Sequence, residues 1–435
     1  MDKHNMENHL IFIFKTFRFR SLIFFLCLPS ATTTCILATE QIEIEVSETA
    51  GIRRFNHPTT MTFNLTESVS EETSFRLLDN GQPVEAQFRS EGSHRERLRW
   101  WLDFPTSLLP YETKRFTIEY GSDVPAGPER KSGHKLTQTD DAYQITNAPW
   151  ITWTIRQNLQ GLIHSVNYNR AEQLRPSSNG LMMIDRDGKP HPLYGENGSE
   201  TVGRVLRDGP QAVGLQFETT STKPGLRGVY SIVDLHFPVS RSWIEIDWRV
   251  VDPEGKADTL ALELDLALDE PTSQSPTLVD FGAATLVYSV LRPGQQAALE
   301  GSSLMQDQDP STSSKHMWSV SRGPANNLQP FVVAPLDSNQ NAEGWAHIMD
   351  RQWCGALAMD GFGRHAQDHI RLSAEGHVSL QRSYDSQQNS SATNTEKRFR
   401  VWLHFIPFPP QHGAATSPQS MQNPLEVRVI DVTKR

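Results

Sequence analysis

The chain has 435 residues, of which 37% are hydrophobic, and 41 basic and 51 acidic residues give a formal net charge of −10. A mean hydropathy of −0.49 excludes a multi-span membrane protein. The acidic balance, without any basic block, excludes nucleic acid as an expected partner. Twenty-seven glycines, 27 prolines and 10 tryptophans favour a turn-rich β protein over a helical bundle.

Residues 1–38 have the pattern of a secretory signal peptide. Basic residues precede the apolar run Leu22–Leu28, and small residues follow up to Ala38. The run is short for a membrane span, so we expect export to the periplasm, the cell surface or the medium, with no span left after cleavage. The alternative is an uncleaved anchor. Cleavage would leave Cys354 as the sole cysteine, so we expect no internal disulfide.

Residues 41–121 predict a small β domain. Apolar and acidic residues alternate over Ile42–Val46, and the turn Asp79-Asn80-Gly81 indicates a hairpin. A later strand has two distinct faces, with Leu98, Trp100, Leu102 and Phe104 on one and Arg99, Trp101 and Asp103 on the other. Residues 122–134 have the composition of a linker.

Residues 135–435 predict a larger domain of antiparallel strands. Its strongest signal is strict period-2 alternation, which is typical of half-buried strands. The inward positions are Ile244, Ile246, Trp248 and Val250 in one strand and Leu260, Leu262, Leu264, Leu266 and Leu268 in another. Polar, low-complexity residues at 305–314, 386–397 and 412–423 predict loops. The predicted fold class is therefore all-β, a small N-terminal β-barrel or sandwich domain followed by a large antiparallel β-sandwich.

A candidate site lies in and just after residues 341–372, where groups suited to sugar chemistry are concentrated. Seven residues form the predicted set: Trp345, Trp353, Arg364, His365, His369, Arg371 and Tyr384. The tryptophans would stack on a sugar ring, and either arginine would pair with a uronate carboxylate. A histidine or the tyrosine would then move the α-proton, which is β-elimination. The alternative is that the tryptophans are core and the arginines are solvated.

Three other patterns are weaker. His365 and His369 have the spacing of a zinc helix but lack the glutamate that metalloprotease chemistry needs, so no metal site is predicted. The run Asp185–Gly188 fits a hairpin turn better than a calcium loop, although calcium stays open as a cofactor. A row of four carboxylates would serve glycoside hydrolysis if their strands pair, but a solvated face is the more common explanation: Glu245, Asp247, Glu263 and Asp265.

The order of five segments resembles the exo-acting rhamnogalacturonan lyase-like proteins. The segments are AGIRRFNHP (50–58), FRLLDNGQPVEAQF (75–88), WWLDFPTSLLPYETKRFTIEYG (100–121), WITWTIRQNLQGLIHSV (150–166) and GWAHIMDRQWCGALAMDGF (344–362). The resemblance implies a small β-barrel-like domain before a large β super-sandwich of the galactose-mutarotase type. The family usually adds a helical toroid, for which residues 407–435 are too few, and no catalytic residue carries over.

Together these patterns predict an exported carbohydrate-active protein that resembles uronate-directed polysaccharide lyases. Its expected partner is a polysaccharide or a cell-surface glycan. The alternative is a non-catalytic glycan-binding or cell-surface structural module, so the sequence leaves open whether the protein is an enzyme.

Overall fold

A computed structural model describes residues 40–65, 69, 73–91, 99–176, 180–195, 199–222, 226–239, 242–302, 317–335, 340–364, 367–384, 396–407 and 418–434. The predicted signal segment, the predicted loop at 305–314 and most of 386–397 lie outside these residues. Residues 38–435 form one compact unit. The described residues contain thirty strands and one short helix, which confirms the all-β fold class.

The small β domain consists of two antiparallel sheets. Its strands are β1 (Glu40–Ser47), β2 (Arg54–Asn64), β3 (Ser74–Asp79), β4 (Gln82–Val84), β5 (Gln87–Glu91), β6 (Arg99–Leu108), β7 (Thr113–Gly121) and β30 (Glu426–Lys434). One sheet has the order β30-β1-β7-β3-β4 and the other β2-β6-β5. The predicted hairpin is confirmed, because β3 and β4 pair across Asn80 and Gly81, which have φ angles of 50° and 79°.

The last strand, β30, lies apart from the large domain in which the sequence places it. It pairs along the whole of β1, from Glu40 opposite Lys434 to Ser47 opposite Glu426. Leu425, just before it, is part of the small domain's hydrophobic core. The chain therefore returns to its first strand after completing the large sandwich.

Residues 122–134, predicted as a linker, contain no helix or strand but are held by backbone hydrogen bonds. Gly127 N donates to Phe75 O of the small domain at 3.0 Å, and His134 N donates to Pro210 O of the large domain at 3.2 Å. The segment thus contacts both parts of the molecule.

Three further sheets build the large domain. The five-stranded sheet contains β8 (Lys135–Gln138), β9 (Ala142–Asn147), β10 (Ile151–Arg156), β11 (Ser165–Tyr168) and β12 (Ala171–Glu172). The eight-stranded sheet contains β13 (Gly180–Asp185), β14 (Pro190–Pro192), β19 (Ala257–Asp265), β22 (Gln295–Ser302), β23 (Trp318–Pro324), β24 (Gln329–Val333), β27 (Gln367–Ser373) and β28 (His377–Ser383). The nine-stranded sheet contains β15 (Ser199–Arg207), β16 (Ala212–Ser221), β17 (Tyr230–Pro238), β18 (Trp243–Val251), β20 (Thr277–Gly282), β21 (Leu286–Leu291), β25 (Trp345–Met349), β26 (Trp353–Met359) and β29 (Glu396–Pro407).

Strand order fixes which positions come together. The eight-stranded sheet has the order β14-β13-β19-β28-β27-β22-β23-β24, and the nine-stranded sheet β15-β16-β17-β18-β29-β26-β25-β20-β21. One large hydrophobic core joins the inward faces of the three sheets. The predicted inward residues of β18 and the five leucines in and after β19 all belong to it, which confirms both strand assignments. Because β18 and β19 lie in different sheets, the four predicted carboxylates do not form one row.

A short helix corrects the loop prediction for residues 412–423. Helix α1 spans Pro418–Gln422. Met421 packs against three tryptophans, and Arg54 donates hydrogen bonds to Ser420 O at 2.7 Å and Asn423 O at 2.6 Å. Five residues form a helix here because tertiary contacts stabilise it, a contribution that local composition does not reveal.

Among the described residues, no helix is long and apolar enough to cross a membrane.

Candidate functional site

The structure distributes the predicted site residues over two sheets and their loops. The two tryptophans lie on β25 and β26 of the nine-stranded sheet, whereas His369 and Arg371 lie on β27 of the eight-stranded sheet. Tyr384 directly follows β28. Arg364 is exposed in the turn after β26, and His365 lies outside the described residues.

Both predicted sugar platforms have protein partners. Trp345 is 5% exposed, donates its Nε1 hydrogen to the Glu343 carboxylate and meets the His347 ring edge-on at 5.3 Å. Trp353 is part-buried and meets the Tyr168 ring edge-on at 5.6 Å. These contacts give Trp345 the environment of a core residue.

The predicted proton-moving residues also have partners. His369 Nδ1 lies 3.7 Å from Glu300 Oε1, and this contact lowers the pKa of Glu300. The Tyr384 hydroxyl donates to Arg398 O at 2.6 Å, and burial raises the Tyr384 pKa well above its ordinary value. That phenol is therefore protonated at neutral pH, with its hydrogen bound to the backbone. The catalytic role of these residues stays a prediction.

A cavity of about 410 Å³ lies between the small domain and the outer face of the nine-stranded sheet. We call it the interface cavity. Strands β2 and β6 supply one wall, the ends of β15–β18 and β29 supply the other, and Met421 of α1 lies beside them. Its chemically important lining residues are His57, Asp103, Arg207, Gln211, His236, Trp243, Glu245, Arg400 and Trp402.

Arg207 joins the two walls. Its side chain is 2% exposed, and Nε lies 3.0 Å from Asp103 Oδ2 of β6, whose side chain is 5% exposed. The guanidinium also stacks over Trp101 at 4.1 Å, and Asp103 accepts a hydrogen bond from Thr60 Oγ1 at 2.8 Å. The second face predicted for β6 is thus a domain interface.

His236 is held in one protonation state. Its Nδ1 lies 3.3 Å from Nη1 of Arg207, which can only donate, so Nδ1 is the acceptor and Nε2 carries the hydrogen. Burial, assisted by the positive charge of Arg207, keeps the pKa of His236 well below its ordinary value. The residue therefore presents a neutral imidazole with one N–H donor.

Glu245 is fully engaged by its neighbours on β29. Oε1 accepts from Arg400 Nε at 2.9 Å, and Oε2 accepts from Trp402 Nε1 at 3.1 Å. The guanidinium of Arg400 also lies over the Trp402 ring at 4.9 Å. The carboxylates of Glu245 and Asp103 are therefore both neutralised by arginines.

Two buried donors of the cavity wall lack a hydrogen-bond partner among the described residues. They are Trp243 Nε1 and Gln211 Nε2, on residues that are 6% and 3% exposed. The Trp243 ring meets His57 edge-on at 5.8 Å, and the Gln211 backbone N–H donates to Gln87 Oε1 at 2.9 Å, so both residues are held in place. Both nitrogens are closed to solvent, and a buried unpaired N–H costs about 1–3 kcal/mol in the free protein.

The structure also addresses the weak calcium pattern. Strands β13 and β14 pair, which confirms the hairpin. Asp185 accepts hydrogen bonds from Asp187 N at 3.0 Å and Lys189 N at 2.9 Å, and contacts His191 Nε2 at 2.7 Å. Among the described residues no group of three or more His, Cys, Asp or Glu is placed to hold a metal ion. The cofactor expectation stays a prediction.

Sequence reasoning missed the interface cavity, although part of its signal was present. The polar positions of β18 were noted, yet they were interpreted as a solvated face. His57 lies in one of the segments that carry the family resemblance, and no role was assigned to it. The cavity combines residues from Asn56 to Val427, so only the folded chain reveals it.

No protein-family model matches the sequence, and no curated protein matches it. Solved structures do. A protein in the glycosyl hydrolase family 38 from Enterococcus faecalis aligns at a TM-score of 0.51 with 11% identity, covering 91% of this chain and 47% of that chain. An α-mannosidase from Enterococcus faecalis V583 aligns at 0.50 with 10% identity, covering 91% of this chain and 46% of that chain. This chain therefore has the β fold of about half of each of those proteins.

Proposed function

We propose that this protein binds a carbohydrate in the interface cavity. The observation that carries the proposal is a cavity of about 410 Å³ whose wall combines the aromatic side chains of Trp243 and Trp402 with the polar side chains of His236 and Arg130. A sugar offers acceptor oxygens around its ring together with apolar C–H faces, and two tryptophans line the same cavity. The two similar structures are described as carbohydrate-acting proteins, which supports the ligand class.

The size and polarity of the interface cavity suit this ligand. Its volume of about 410 Å³ falls within the usual range for small-molecule sites, about 300–1,000 Å³. His236, which lines the cavity, carries an N–H donor at Nε2. A site that offers mostly donors selects a ligand rich in hydroxyl or carboxylate oxygens.

The cavity supports recognition better than catalysis. General acid–base chemistry needs a group that can exchange a proton during the reaction. Glu245 and Asp103 are each paired with an arginine, and His236 Nδ1 already accepts from Arg207. The polar groups of the cavity are thus organised as fixed donors, which is the arrangement of a binding site.

Polysaccharide lyase activity on a uronate-containing glycan is the second proposal. The observation in its favour is that Arg130, which has no acidic partner among the described residues, lines the same cavity as His57. An arginine that neutralises a uronate carboxylate beside a histidine is the pairing that β-elimination requires. Incubation with uronate glycans, followed by ultraviolet detection of unsaturated products, tests it, and the absence of products would leave binding alone.

Export forms a separate proposal, supported by the basic and apolar pattern of residues 1–38. Sequencing the N-terminus of the protein produced in its native host tests it. A mature chain that starts near residue 39 would support cleavage, and an intact N-terminus would favour the anchor.

Binding to a glycan panel, measured by calorimetry with Trp243→Phe and Gln211→Leu, tests the main proposal. Each change alters a side chain that lines the interface cavity, so we expect affinity to fall about tenfold. Trp243→Phe also leaves a void in the buried cluster that contains Met421, so a urea titration checks that each variant is folded under the binding conditions. Tyr288→Phe is the control, since Tyr288 is 52% exposed on β21, four strands from β29. Unchanged affinity in both donor variants would reject the interface cavity as the site.

A further inference from the structure

A second cavity of about 500 Å³ lies in the large domain. We call it the rim cavity. Its wall includes Arg130, Asn147, Trp150, Tyr168, Ser242 and His404. Trp150 is 59% exposed, which is high for the largest apolar side chain. Its indole therefore offers a broad surface to solvent at this cavity.

The rim cavity adjoins the interface cavity. Arg130 lines both of them. Ser242 faces the rim cavity and the next residue, Trp243, faces the interface cavity. The Trp243 ring meets His404 of the rim cavity edge-on at 6.2 Å. A ligand that fills one cavity thus ends beside the other.

Most N–H groups of Arg130 have no described hydrogen-bond partner. Its Nε donates to Ser132 O at 2.7 Å. Within the part of the chain that the structure describes, it forms no salt bridge, unlike Arg207 and Arg400 in the interface cavity. A guanidinium has five N–H groups, and only the Nε hydrogen of Arg130, which lines both cavities, has a described partner. The junction therefore favours a negatively charged group.

Ring contacts and a backbone hydrogen bond hold the wall around Trp150 in place. Tyr168 is backed by Trp353, and burial raises the Tyr168 pKa above its ordinary value, so its hydroxyl stays protonated. The backbone N–H of Trp150 donates to Asn147 O at 2.9 Å, which holds the turn that carries the indole. These contacts suit a preformed binding surface.

We propose that the ligand is an acidic oligosaccharide that spans both cavities. One sugar unit lies in the interface cavity, a carboxylate or sulfate group meets Arg130 at the junction, and a further unit stacks on Trp150. The proposal rests on carbohydrate binding in the interface cavity and adds the length and charge of the ligand.

The first arm of the test is ligand length, with Trp150→Ala as the variant. Calorimetry with monosaccharides and matched oligosaccharides should give tighter binding of the oligosaccharide to the natural protein. Trp150→Ala should weaken oligosaccharide binding about tenfold and leave monosaccharide binding unchanged. Tyr288→Ala removes another exposed aromatic ring outside both cavities and should change neither. Equal oligosaccharide affinity in Trp150→Ala and the natural protein would overturn the proposal.

The second arm is charge, with Arg130→Gln compared with Lys131→Gln. Lys131 is exposed and lines neither cavity, so it controls for the loss of one positive charge in the same segment. Arg130→Gln should weaken binding of acidic oligosaccharides about tenfold and of neutral ones less. Uronate and sulfated oligosaccharides of equal length identify which acidic group is recognised. Equal effects of the two substitutions would overturn the role of Arg130.

The two proposals fail in different ways. If the natural protein binds none of the sugars, carbohydrate binding itself is wrong. If monosaccharide binding responds to Trp243→Phe while Trp150→Ala changes nothing, the interface cavity stands and only the two-cavity ligand is rejected.

Discussion

The two faces of the nine-stranded sheet differ in what holds them. Trp248 and Ile246 of β18 are fully buried on the inner face, within the large core. The alternate residues Glu245 and Asp247 face outward and pair with β29: Arg398 contacts Asp247 at 2.8 and 2.6 Å, and Arg400 contacts Glu245 at 2.9 Å. One strand therefore serves an apolar core and a polar surface.

The outer face is organised by diagonal pairing. Asp247 lies directly opposite Arg400 in the β18–β29 register, yet its hydrogen-bonded partner is Arg398, one side-chain position along the same face. Diagonal neighbours on a sheet face are within reach of long side chains. The comparison shows that apolar packing stabilises the inner face and ion pairs stabilise the outer face. The ion pairs also hold polar side chains in fixed positions.

Trp248→Ala should produce the largest effect, because it removes a fully buried ring from the inner face. Its Nε1 donates to Ser231 Oγ at 2.7 Å, so the change also breaks a buried hydrogen bond. We expect a loss of about 4 kcal/mol in the free energy of unfolding, measured by urea titration. Trp150→Ala is the matched control and should cost far less, since Trp150 is exposed. Equal losses would contradict the assignment of stability to the inner face.

Arg207→Met tests the buried ion pair that joins the outer face to the small domain. The change leaves the Asp103 carboxylate buried without its ion pair, so we expect a loss of about 3 kcal/mol. Adding Asp103→Leu should recover much of that loss, because the unpaired charge is then gone. Urea titrations of the two single variants and the double variant measure the coupling. Additive losses would show that the pair does not hold the two walls together.

Asp247→Asn should give the smallest effect and one that depends on pH. Burial opposes ionisation of Asp247, yet its hydrogen bonds with Arg398 and the nearby arginines keep its pKa below the ordinary value. The ionised pair therefore stabilises the fold above the ordinary aspartate pKa of about 3.9, and the stabilisation is lost as pH falls through the lower folded pKa. The natural protein should exceed the variant in stability at neutral pH and converge with it in acid. A constant difference across that range would exclude this ion pair as the cause.

Local patterns predicted much of this fold. The alternating residues of β18 and β19 were assigned correctly to one core, because period-2 alternation is a property of each strand alone. The Asp79-Asn80-Gly81 hairpin was predicted because the turn residues fix its geometry.

The features that the sequence did not predict depend on contacts between distant parts of the chain. Arg207 contacts Asp103 because β15 lies against the small domain, and no local pattern encodes that approach. Helix α1 forms in a polar segment because Met421 finds a cluster of tryptophans elsewhere in the chain. The interface cavity depends on these long-range contacts. The sequence therefore identifies some of its residues as polar or aromatic but does not predict that they line one cavity.

The pairing of β30 with β1 has a consequence for how the protein is made. Arg428 of β30 bonds to Glu45 of β1 although they stand 383 positions apart. During synthesis β1 leaves the ribosome long before β30, because the paired residues Glu45 and Arg428 are 383 positions apart. Contacts between distant parts of a chain form slowly, so the small domain should be the final part to close. Until then one edge of β1 has unpaired backbone groups, and a chaperone that binds exposed strand edges would bind there.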